Sequence, residues 1–397
     1  MERGYQKNND ETSRLGDGVT GSDGAGALRG IRVLDLSENL AGPFCAQILG
    51  DLGADVMKVE RPGGDPARAW GPPFDGGDAV LFLAANRNKR GCELDLRTES
   101  GAAQLWEMID ESDVFVQSFR PGVIERLGFG ADPVRARNPR IIYCSISAYG
   151  TRGPLRDAAG YDPLLQAFSG LMSVTGENDG EPVRMGSSPV DMGAGMWLAI
   201  GVLAALRERE STGLGRRLDV SLLGAALNWM GYHFLGLQAS GRTPERHGTA
   251  FPSIAPYESF ETMDGRLMIA AANDSLFCEL CAVLQRPDLV SDSRYASNAL
   301  RVANRVELRE AIARAVGTWS TAALTDALLA AGVPCSPIQD AREAFVHPQT
   351  AATGLLVDLP GSATPGLKVI ALPIEWDGEI VPVRSGVPGS SVSGDEQ

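Results

Sequence analysis

The sequence predicts an α/β protein with a large parallel sheet covered by helices and a second, smaller domain. With 397 residues, the chain is longer than one ordinary hydrophobic core requires. Residues 31–60 contain an apolar run rich in β-branched residues, a stretch with helical spacing and a second apolar run. That order predicts a strand, a helix and a strand. The same alternation continues further along the chain, which favours a parallel sheet with helices on its faces.

The next segments extend this pattern. Residues 101–112 have the spacing of a helix, and residues 113–119 and 139–150 read as strands. The stretch 192–210 is apolar almost to its last turn, so we expect a deeply buried helix. Residues 216–236 predict a strand followed by another buried helix.

The character of the sequence changes near His247. Residues 254–273 predict two strands around a turn at Asp264–Gly265, and three helical stretches follow through Leu329. The segment 332–338 predicts a strand that returns to the large sheet. The expected division is a disordered tail (1–27), a large domain (28–246), a small domain (247–330), a return to the large domain (331–384) and a flexible tail (385–397).

Composition excludes several classes of protein. The formal net charge is −14, whereas nucleic-acid-binding proteins are usually basic. Six cysteines in a chain of this length indicate a reducing compartment, and the N-terminal residues do not have the pattern of a signal peptide. The longest apolar stretch, Met196–Leu206, is too short to span a bilayer. We therefore expect a soluble, cytoplasmic protein with neither nucleic acid nor membrane as a partner.

Three familiar chemistries are poorly supported by the motifs. The turn after the first strand reads SENLAGPF and lacks the GxGxxG glycines of dinucleotide-binding folds. Cys278 and Cys281 have helical spacing and no nearby histidine, so buried packing is favoured over zinc or redox chemistry. The three histidines lie in no pattern typical of a serine hydrolase, and a GxSxG motif is absent from the sequence.

Asp191 is the acid with the most informative position, at the junction of a loop and the long apolar helix. An aspartate at such a junction is usually an N-cap that accepts backbone N–H groups. A carboxylate at a helix N-terminus is also expected to stay ionised, and an ionised carboxylate is a nucleophile. Gly193 and Gly195 leave room either for a ligand or for close helix packing.

Several basic residues fall near predicted strand ends, where open α/β sheets bind ligands. A cluster there would suit phosphate groups, whereas scattered arginines and lysines would be ordinary surface charge. Both interpretations remain open for these residues: Lys58, Arg61, Lys89, Arg90, Arg97 and Arg126.

These residues belong to a longer series of motifs that resembles the class III CoA-transferases. That family includes formyl-CoA transferase, carnitine CoA-transferase and α-methylacyl-CoA racemase. The resemblance begins at LRGIRVLDLSENLAGPFCAQILGDLGADVMKVERPGGD and ends at HPQTAATGLL. Between them lie NRNKRGCELDLRTESG, QSFRPGVIERLGFG and PVRMGSSPVDMGAGMWLAIGVLAAL, among other matches.

The resemblance implies a large Rossmann-like domain and a small α+β domain in an interlocked homodimer. It implies an acyl-CoA:carboxylate CoA-transferase that takes acyl-CoA and a carboxylic acid as substrates and holds no tightly bound cofactor. Asp191 would attack the thioester and form a mixed anhydride, and the exchange would pass through covalent aspartyl intermediates. The implied CoA-binding residues are Leu40, Ala41, Arg61, Leu94, Arg97, Ser118, Phe119 and Arg126.

Two departures from the family patterns bear on the reaction. Leu40 stands where formyl-CoA transferase has a glutamine, which favours a larger or more apolar acyl group than formyl or oxalyl. Tyr161 stands where the racemases have the histidine that moves an α-proton, and a neutral phenol is a poor proton shuttle at pH 7. A racemase or isomerase and a non-catalytic CoA-binding protein remain the alternatives. Tyr161 and Asp162 are expected to shape the site. The sequence does not identify the donor and acceptor acids.

Overall fold

A six-stranded, all-parallel sheet forms the centre of the large domain and confirms the predicted fold class. The computed structural model describes residues 26–389. The first eight strands are β1 (Arg32–Asp35), β2 (Asp55–Glu60), β3 (Phe74–Asp75), β4 (Asp78–Ala79), β5 (Lys89–Glu93), β6 (Val114–Gln117), β7 (Ile142–Ser147) and β8 (Arg217–Ser221). The strand order in the sheet is β5-β2-β1-β6-β7-β8, and β3 and β4 form a separate hairpin.

The helices of this part of the chain cover the sheet and follow the predicted alternation. They are α1 (Ala41–Asp51), α2 (Val80–Asn86), α3 (Glu99–Glu111), α4 (Val123–Arg126), α5 (Ala131–Arg137), α6 (Asp162–Ser169), α7 (Pro189–Thr212), α8 (Leu222–Trp229) and α9 (Gly231–Ser240). Two buried clusters lie on opposite faces of the sheet. One packs α1 and α7 against alternate residues such as Val33 and Val114, and the other packs α3 against their neighbours Leu34 and Phe115.

The strand order places a crevice between β1 and β6. The chain moves outward from β1 through β2 to β5 and then resumes on the other side of β1 with β6. The loops after β1 and β6 therefore leave the sheet in opposite directions. In open α/β sheets, ligands bind at such a point, outside the carboxyl ends of the strands.

A buried ionic network holds the loop after β1. Lys89 Nζ lies 2.9 Å from Asp35 Oδ2, and Lys58 Nζ lies 2.9 Å from Asp65 Oδ2. Lys58 also donates to the backbone oxygen of Ser37 at 2.8 Å. Both lysines are almost fully buried, so the interpretation as surface charge is wrong for them, and their ammonium groups are already paired with carboxylates.

Helices α1 and α7 cross at close range because of a glycine. A Cβ atom at Gly195 would lie 2.6 Å from the backbone oxygen of Ala41 and 3.2 Å from the backbone nitrogen of Cys45. At Gly193 it would meet the Trp229 ring at 3.1 Å. Close helix packing therefore accounts for both glycines.

Burial of α7 is one-sided, so the prediction of a deeply buried helix is wrong for its outer face. Met196, Trp197 and Ile200 are each about half exposed. By length and composition alone, α7 is long and apolar enough to cross a bilayer. The stretch Met196–Leu206, on which the prediction was based, is shorter and did not indicate this. Half of its most apolar window is buried inside the protein, as in the core helix of a globular domain.

The segment after β8 also differs from the prediction. It forms two helices rather than one, α8 and α9, which meet at Met230. None of the residues of α9 is buried, and Tyr232 and Leu235 are more than 60% exposed. Apolar composition alone therefore did not show whether this helix is buried within the chain.

The small domain has its own three-stranded antiparallel sheet and its own core. Its strands are β9 (Tyr257–Glu261), β10 (Arg266–Ala270) and β11 (Cys335–Pro337), and its helices are α10 (Asp274–Val283), α11 (Pro287–Ser291), α12 (Asn298–Ala303), α13 (Arg305–Val316) and α14 (Thr321–Ala330). The predicted hairpin at Asp264–Gly265 is confirmed. The prediction of three helices is wrong because two short helices, α11 and α12, separate the longer ones.

Two further predictions fail in this domain. Strand β11 pairs with β10, so the segment 332–338 does not return to the large sheet. Cys281 is buried, but Cys278 is exposed, so the two cysteines do not share a buried face.

The chain returns to the large domain beyond β11. It forms α15 (Ala341–Val346), α16 (Pro348–Ala352), β12 (Leu356–Asp358), β13 (Lys368–Ile370), β14 (Glu375–Trp376) and β15 (Glu379–Ile380). Asp75 accepts the N–H groups of Ala363 and Thr364, and Ser385 and Asn88 exchange backbone and side-chain hydrogen bonds. Residues 385–389 thus contact the large domain, although we predicted a flexible tail. Residues 390–397 of the predicted C-terminal tail and residues 1–25 of the predicted N-terminal tail lie outside the described residues.

The buried network gives a prediction for stability. Replacing Lys89 by Met leaves the fully buried Asp35 carboxylate without its cation, which should lower the free energy of unfolding by about 3–5 kcal/mol. The matched control is Arg90→Met, because the neighbouring Arg90 pairs with Asp55 on the surface. That change should cost at most about 1 kcal/mol. Denaturant titration of both variants tests this, and equal losses would contradict it.

Candidate active site

Two adjoining cavities open at the carboxyl edge of the sheet. The first, of about 470 Å³, contains Asp191 and is lined by the loops after β1, β6 and β7; we call it the Asp191 cavity. The second, of about 330 Å³, is lined by the loops after β2 and β5; we call it the β2–β5 cavity. The two share Glu38, Arg61 and Phe119. Together they form one groove across the crevice between β1 and β6.

The groove brings together eight of the nine site residues that the resemblance implied. The Asp191 cavity is lined by Leu40, Ala41, Arg61, Ser118, Phe119 and Asp191. The β2–β5 cavity is lined by Arg61, Leu94, Arg97 and Phe119. The ninth residue, Arg126, lines neither cavity and is exposed at the end of α4.

The two arginines that line the β2–β5 cavity each have an acidic neighbour. Arg61 Nε lies 3.3 Å from Glu38 Oε1, and Arg97 forms two hydrogen bonds of 2.8 Å with Asp95. Both arginine side chains remain more than 60% exposed, so they are accessible to an anion. Arg90, by contrast, pairs with Asp55 at the start of β2, which is the opposite edge of the sheet.

Asp191 is the third residue of α7 and does not cap its own helix, so the N-cap interpretation is wrong. The N-cap is Ser188, whose side chain makes no capping hydrogen bond. The capping carboxylate comes from α6: Asp162 Oδ2 accepts the N–H groups of Val190 at 2.8 Å and Asp191 at 3.1 Å. The Asp191 side chain is therefore left for the cavity.

The electrostatic environment of Asp191 differs from that expected of a helix N-terminus. Burial and the neighbouring Asp162 carboxylate raise the pKa of Asp191 to about 7. Desolvation disfavours the charged form, and a second carboxylate does so too. The expectation that position alone keeps this group ionised is thus corrected, since Asp191 is poised to change charge near neutral pH.

Asp162 is itself held by Gln166, one turn further along α6. Gln166 Nε2 donates to Asp162 Oδ1, and Gln166 Oε1 accepts the N–H of Met185 at 2.9 Å. All of these partners precede or begin α7, so α6 fixes the entry of the chain into that helix. No local sequence pattern could reveal this cap, because the N–H groups lie 28 and 29 residues beyond Asp162.

Two aromatic side chains form a wall of the Asp191 cavity. The rings of Trp70 and Tyr161 meet edge to face, with centroids 6.1 Å apart, and each is about half exposed. Tyr161, which the sequence placed near the site, is therefore in the same cavity as Asp191. Trp70 was not predicted; its position in the loop after β2 carries no motif of its own.

Within residues 26–389, no group of three or more histidine, cysteine or acidic side chains could hold a metal ion. The groove offers a partly buried carboxylate, accessible arginine side chains and the first turn of α1, whose leading N–H groups have no acceptor within the helix. Such an arrangement suits nucleophilic attack by Asp191 on an ester-like carbonyl carried by an anionic ligand.

Comparisons with known proteins show the family of the chain. The family model described as CoA-transferase family III matches residues 28–391. The succinate–glutarate CoA-transferase of Agrobacterium fabrum is 40% identical over 86% of this chain and 88% of its own. The succinyl-CoA:glutarate CoA-transferase of Homo sapiens is 37% identical over 84% of this chain and 76% of its own.

A solved structure gives the same result for the fold. A CAIB/BAIF family protein from Brucella suis superposes with a TM-score of 0.82 at 36% identity, covering 92% of this chain and 96% of that one. With the family model matching almost the whole described chain, the protein belongs to CoA-transferase family III and is a CoA-transferase.

Proposed function

We propose that the protein moves CoA from an acyl-CoA thioester to a free carboxylic acid through covalent intermediates on Asp191. The observation that carries this proposal is the position of Asp191. It is a partly buried carboxylate in a groove that presents Arg61 where the two cavities meet and Arg97 further along. A thioester of CoA has an electrophilic carbonyl at one end and phosphates at the other, which matches this separation of charge.

The first half of the reaction forms two intermediates in turn. An Asp191 oxygen attacks the acyl carbonyl carbon, the C–S bond breaks, and a mixed anhydride and the CoA thiolate are formed. The thiolate then attacks the Asp191 carbonyl, which releases the donor acid as a carboxylate and leaves an aspartyl-CoA thioester.

The second half reverses these steps with the acceptor acid. Its carboxylate attacks the aspartyl thioester and gives a new anhydride and CoA thiolate. The thiolate attacks the new acyl carbonyl and frees both acyl-CoA and Asp191. A thiolate is a stable leaving group, so no strong acid catalyst is required. In this proposal the N–H groups of Ala41 and Gly42, at the start of α1, hold the oxyanions.

Asp162 acts on Asp191 in two ways in this proposal. By capping α7, it fixes the backbone at Asp191. By its negative charge, it raises the pKa of Asp191 and makes the carboxylate more basic. A more basic carboxylate is a stronger nucleophile once it has lost its proton.

For the substrates, we propose small dicarboxylic acids as the first class to test. The relatives from Agrobacterium fabrum and Homo sapiens are named for succinate and glutarate. A third relative, from Acetobacter aceti, is named acetyl-CoA:oxalate CoA-transferase and is 39% identical over 86% of this chain and 88% of its own. Leu40 gives the cavity an apolar side chain, which favours the longer of these acyl groups.

We further propose that a second copy of the chain covers the exposed apolar face of the large domain. This face comprises Met196, Trp197 and Ile200 on α7 and Tyr232 and Leu235 on α9. So many large apolar side chains exposed on two helices are typical of an interface. The interlocked homodimer implied by the resemblance would bury them.

The covalent step predicts a mass change that depends on Asp191. Incubation with succinyl-CoA or glutaryl-CoA should give an acyl or CoA adduct on the intact protein, and Asp191→Ala should give none, because it lacks the attacking oxygen. Intact-protein mass spectrometry measures both. Solvent deuterium entering the α-carbon of a branched acyl-CoA without any adduct would instead favour proton transfer of the racemase type.

The raised pKa of Asp191 predicts the pH dependence of adduct formation. Only the carboxylate attacks, so the single-turnover rate should rise with pH and reach half its maximum near pH 7. Asp162→Asn keeps an oxygen for the cap but removes the charge, so the midpoint should move to lower pH. The control is Asp157→Asn, an exposed acid on a neighbouring loop, which should leave the midpoint in place. A midpoint that stays near 7 in Asp162→Asn would contradict this role.

The proposed interface predicts the molecular mass in solution. Light scattering should give twice the chain mass of 42.0 kDa. Ile200→Arg introduces a charge at the middle of the exposed face of α7 and should lower the dimer's thermal stability. Arg207→Ala, near the exposed end of the same helix, serves as a control. A monomeric wild-type chain would contradict the proposal.

A further inference from the structure

An ion pair stands where the two cavities meet. Glu38 and Arg61 each line both the Asp191 cavity and the β2–β5 cavity, and Arg61 Nε lies 3.3 Å from Glu38 Oε1. A ligand that extends from Asp191 into the β2–β5 cavity passes this pair. An acid at that point is unexpected in a groove for a polyanion, because it repels phosphate.

The backbone keeps Glu38 at the junction. Its N–H donates to Ser118 Oγ at 2.9 Å, which joins the loop after β1 to the loop after β6. The preceding residue, Ser37, is held in turn by Lys58 through its backbone oxygen. The loop therefore gives Glu38 little freedom to leave the groove.

The charges around Glu38 make Arg61 its main compensating cation. Burial raises the pKa of Glu38, and Arg61 acts most strongly in the opposite direction. Asp65 and Glu60 raise the pKa further, so these acids also disfavour the Glu38 carboxylate. Lys58 lowers it, but the Lys58 ammonium is already engaged by Asp65 and the oxygen of Ser37.

We infer that Glu38 is a positioning residue that competes with a phosphate group of CoA for Arg61 and so weakens CoA binding. This inference rests on the proposed function. With the groove empty, Arg61 is paired with Glu38. When CoA binds, the Arg61 guanidinium turns to the phosphate. The Glu38 carboxylate then has less positive charge nearby to offset the negative charges of Asp65 and Glu60. The free-energy cost of breaking the Arg61–Glu38 pair weakens CoA binding and speeds release of the acyl-CoA product.

The test compares CoA binding to the full-length wild-type chain and to Glu38→Gln by isothermal titration calorimetry. Removing the competing charge should lower the Kd for CoA about fivefold, a change in the range of a single exposed ion pair. The matched control is Asp55→Asn, which removes an acid paired with Arg90 on the opposite edge of the sheet. Its Kd should equal that of the wild type.

Two further arms show whether Glu38 acts through Arg61 and phosphate. In an Arg61→Gln background, Glu38→Gln should no longer tighten binding, since the cation for which the groups compete is gone. Pantetheine, which has no phosphate, should bind the wild-type chain and the Glu38→Gln variant equally. Dephospho-CoA, which lacks the 3′-phosphate, identifies the phosphate group that Arg61 binds. If Glu38→Gln still binds dephospho-CoA more tightly than the wild type does, Arg61 binds the pyrophosphate; if the difference disappears, Arg61 binds the 3′-phosphate. Either result supports the competition.

Each contrary result has a distinct meaning. An unchanged or higher Kd in Glu38→Gln, or a gain that persists without Arg61, overturns the inference while CoA binding itself stands. Failure of the wild-type chain to bind CoA overturns the proposed function and this inference together. Retained binding of CoA with loss of the Asp191 adduct would overturn only the covalent mechanism.

Discussion

The buried ionic network beneath the loop after β1 is the constraint on which the candidate site depends. Lys89 and Lys58 lie in the sheet layer with Asp35 and Asp65 as partners, and Lys89 also donates to the backbone oxygen of Pro43 at the start of α1. Asp65 in turn accepts the N–H groups of Asn39 and Ala67. Four charges thus fix both the loop that reaches the crevice and the helix that follows it. Buried pairs of this kind are costly to break, so the loop is rigid where an acyl group is expected.

A second consequence of the same layout is the separation of roles along the groove. The Asp191 end is acidic, and desolvation together with Asp162 on a neighbouring helix raises the pKa of Asp191. The β2–β5 end carries accessible arginines, each of which forms an ion pair with an acidic side chain. A site that must bind a polyanion, exchange two acids and then release a polyanion needs both features. The geometry places them at opposite ends of one cavity system.

The sequence predicted the sheet and most of the groove because both depend on local patterns. Periodicity predicts strand β1 and helix α1, and the resemblance pointed to Leu40, Ser118 and Asp191, which the structure brings together in one cavity. What it could not predict depends on contacts distant in sequence. The cap of α7 by Asp162 spans almost thirty residues, and the burial of Lys89 reflects its pairing with Asp35 on another strand, 54 residues away. The exposure of α9 was missed because apolar composition alone does not show whether the rest of the chain packs against a helix.

The contacts of Arg68 have a consequence for how the protein is made. Its guanidinium binds Glu60 and Asp78 close by and also the backbone oxygen of Pro388, 320 residues further along the chain. Glu60 in turn accepts the N–H of Asp65, so this late contact reaches the wall of the groove. During synthesis, the sheet and the small domain are complete long before Pro388 leaves the ribosome. The groove therefore gains this support only after Pro388 has been synthesised, and a shorter nascent chain would lack it.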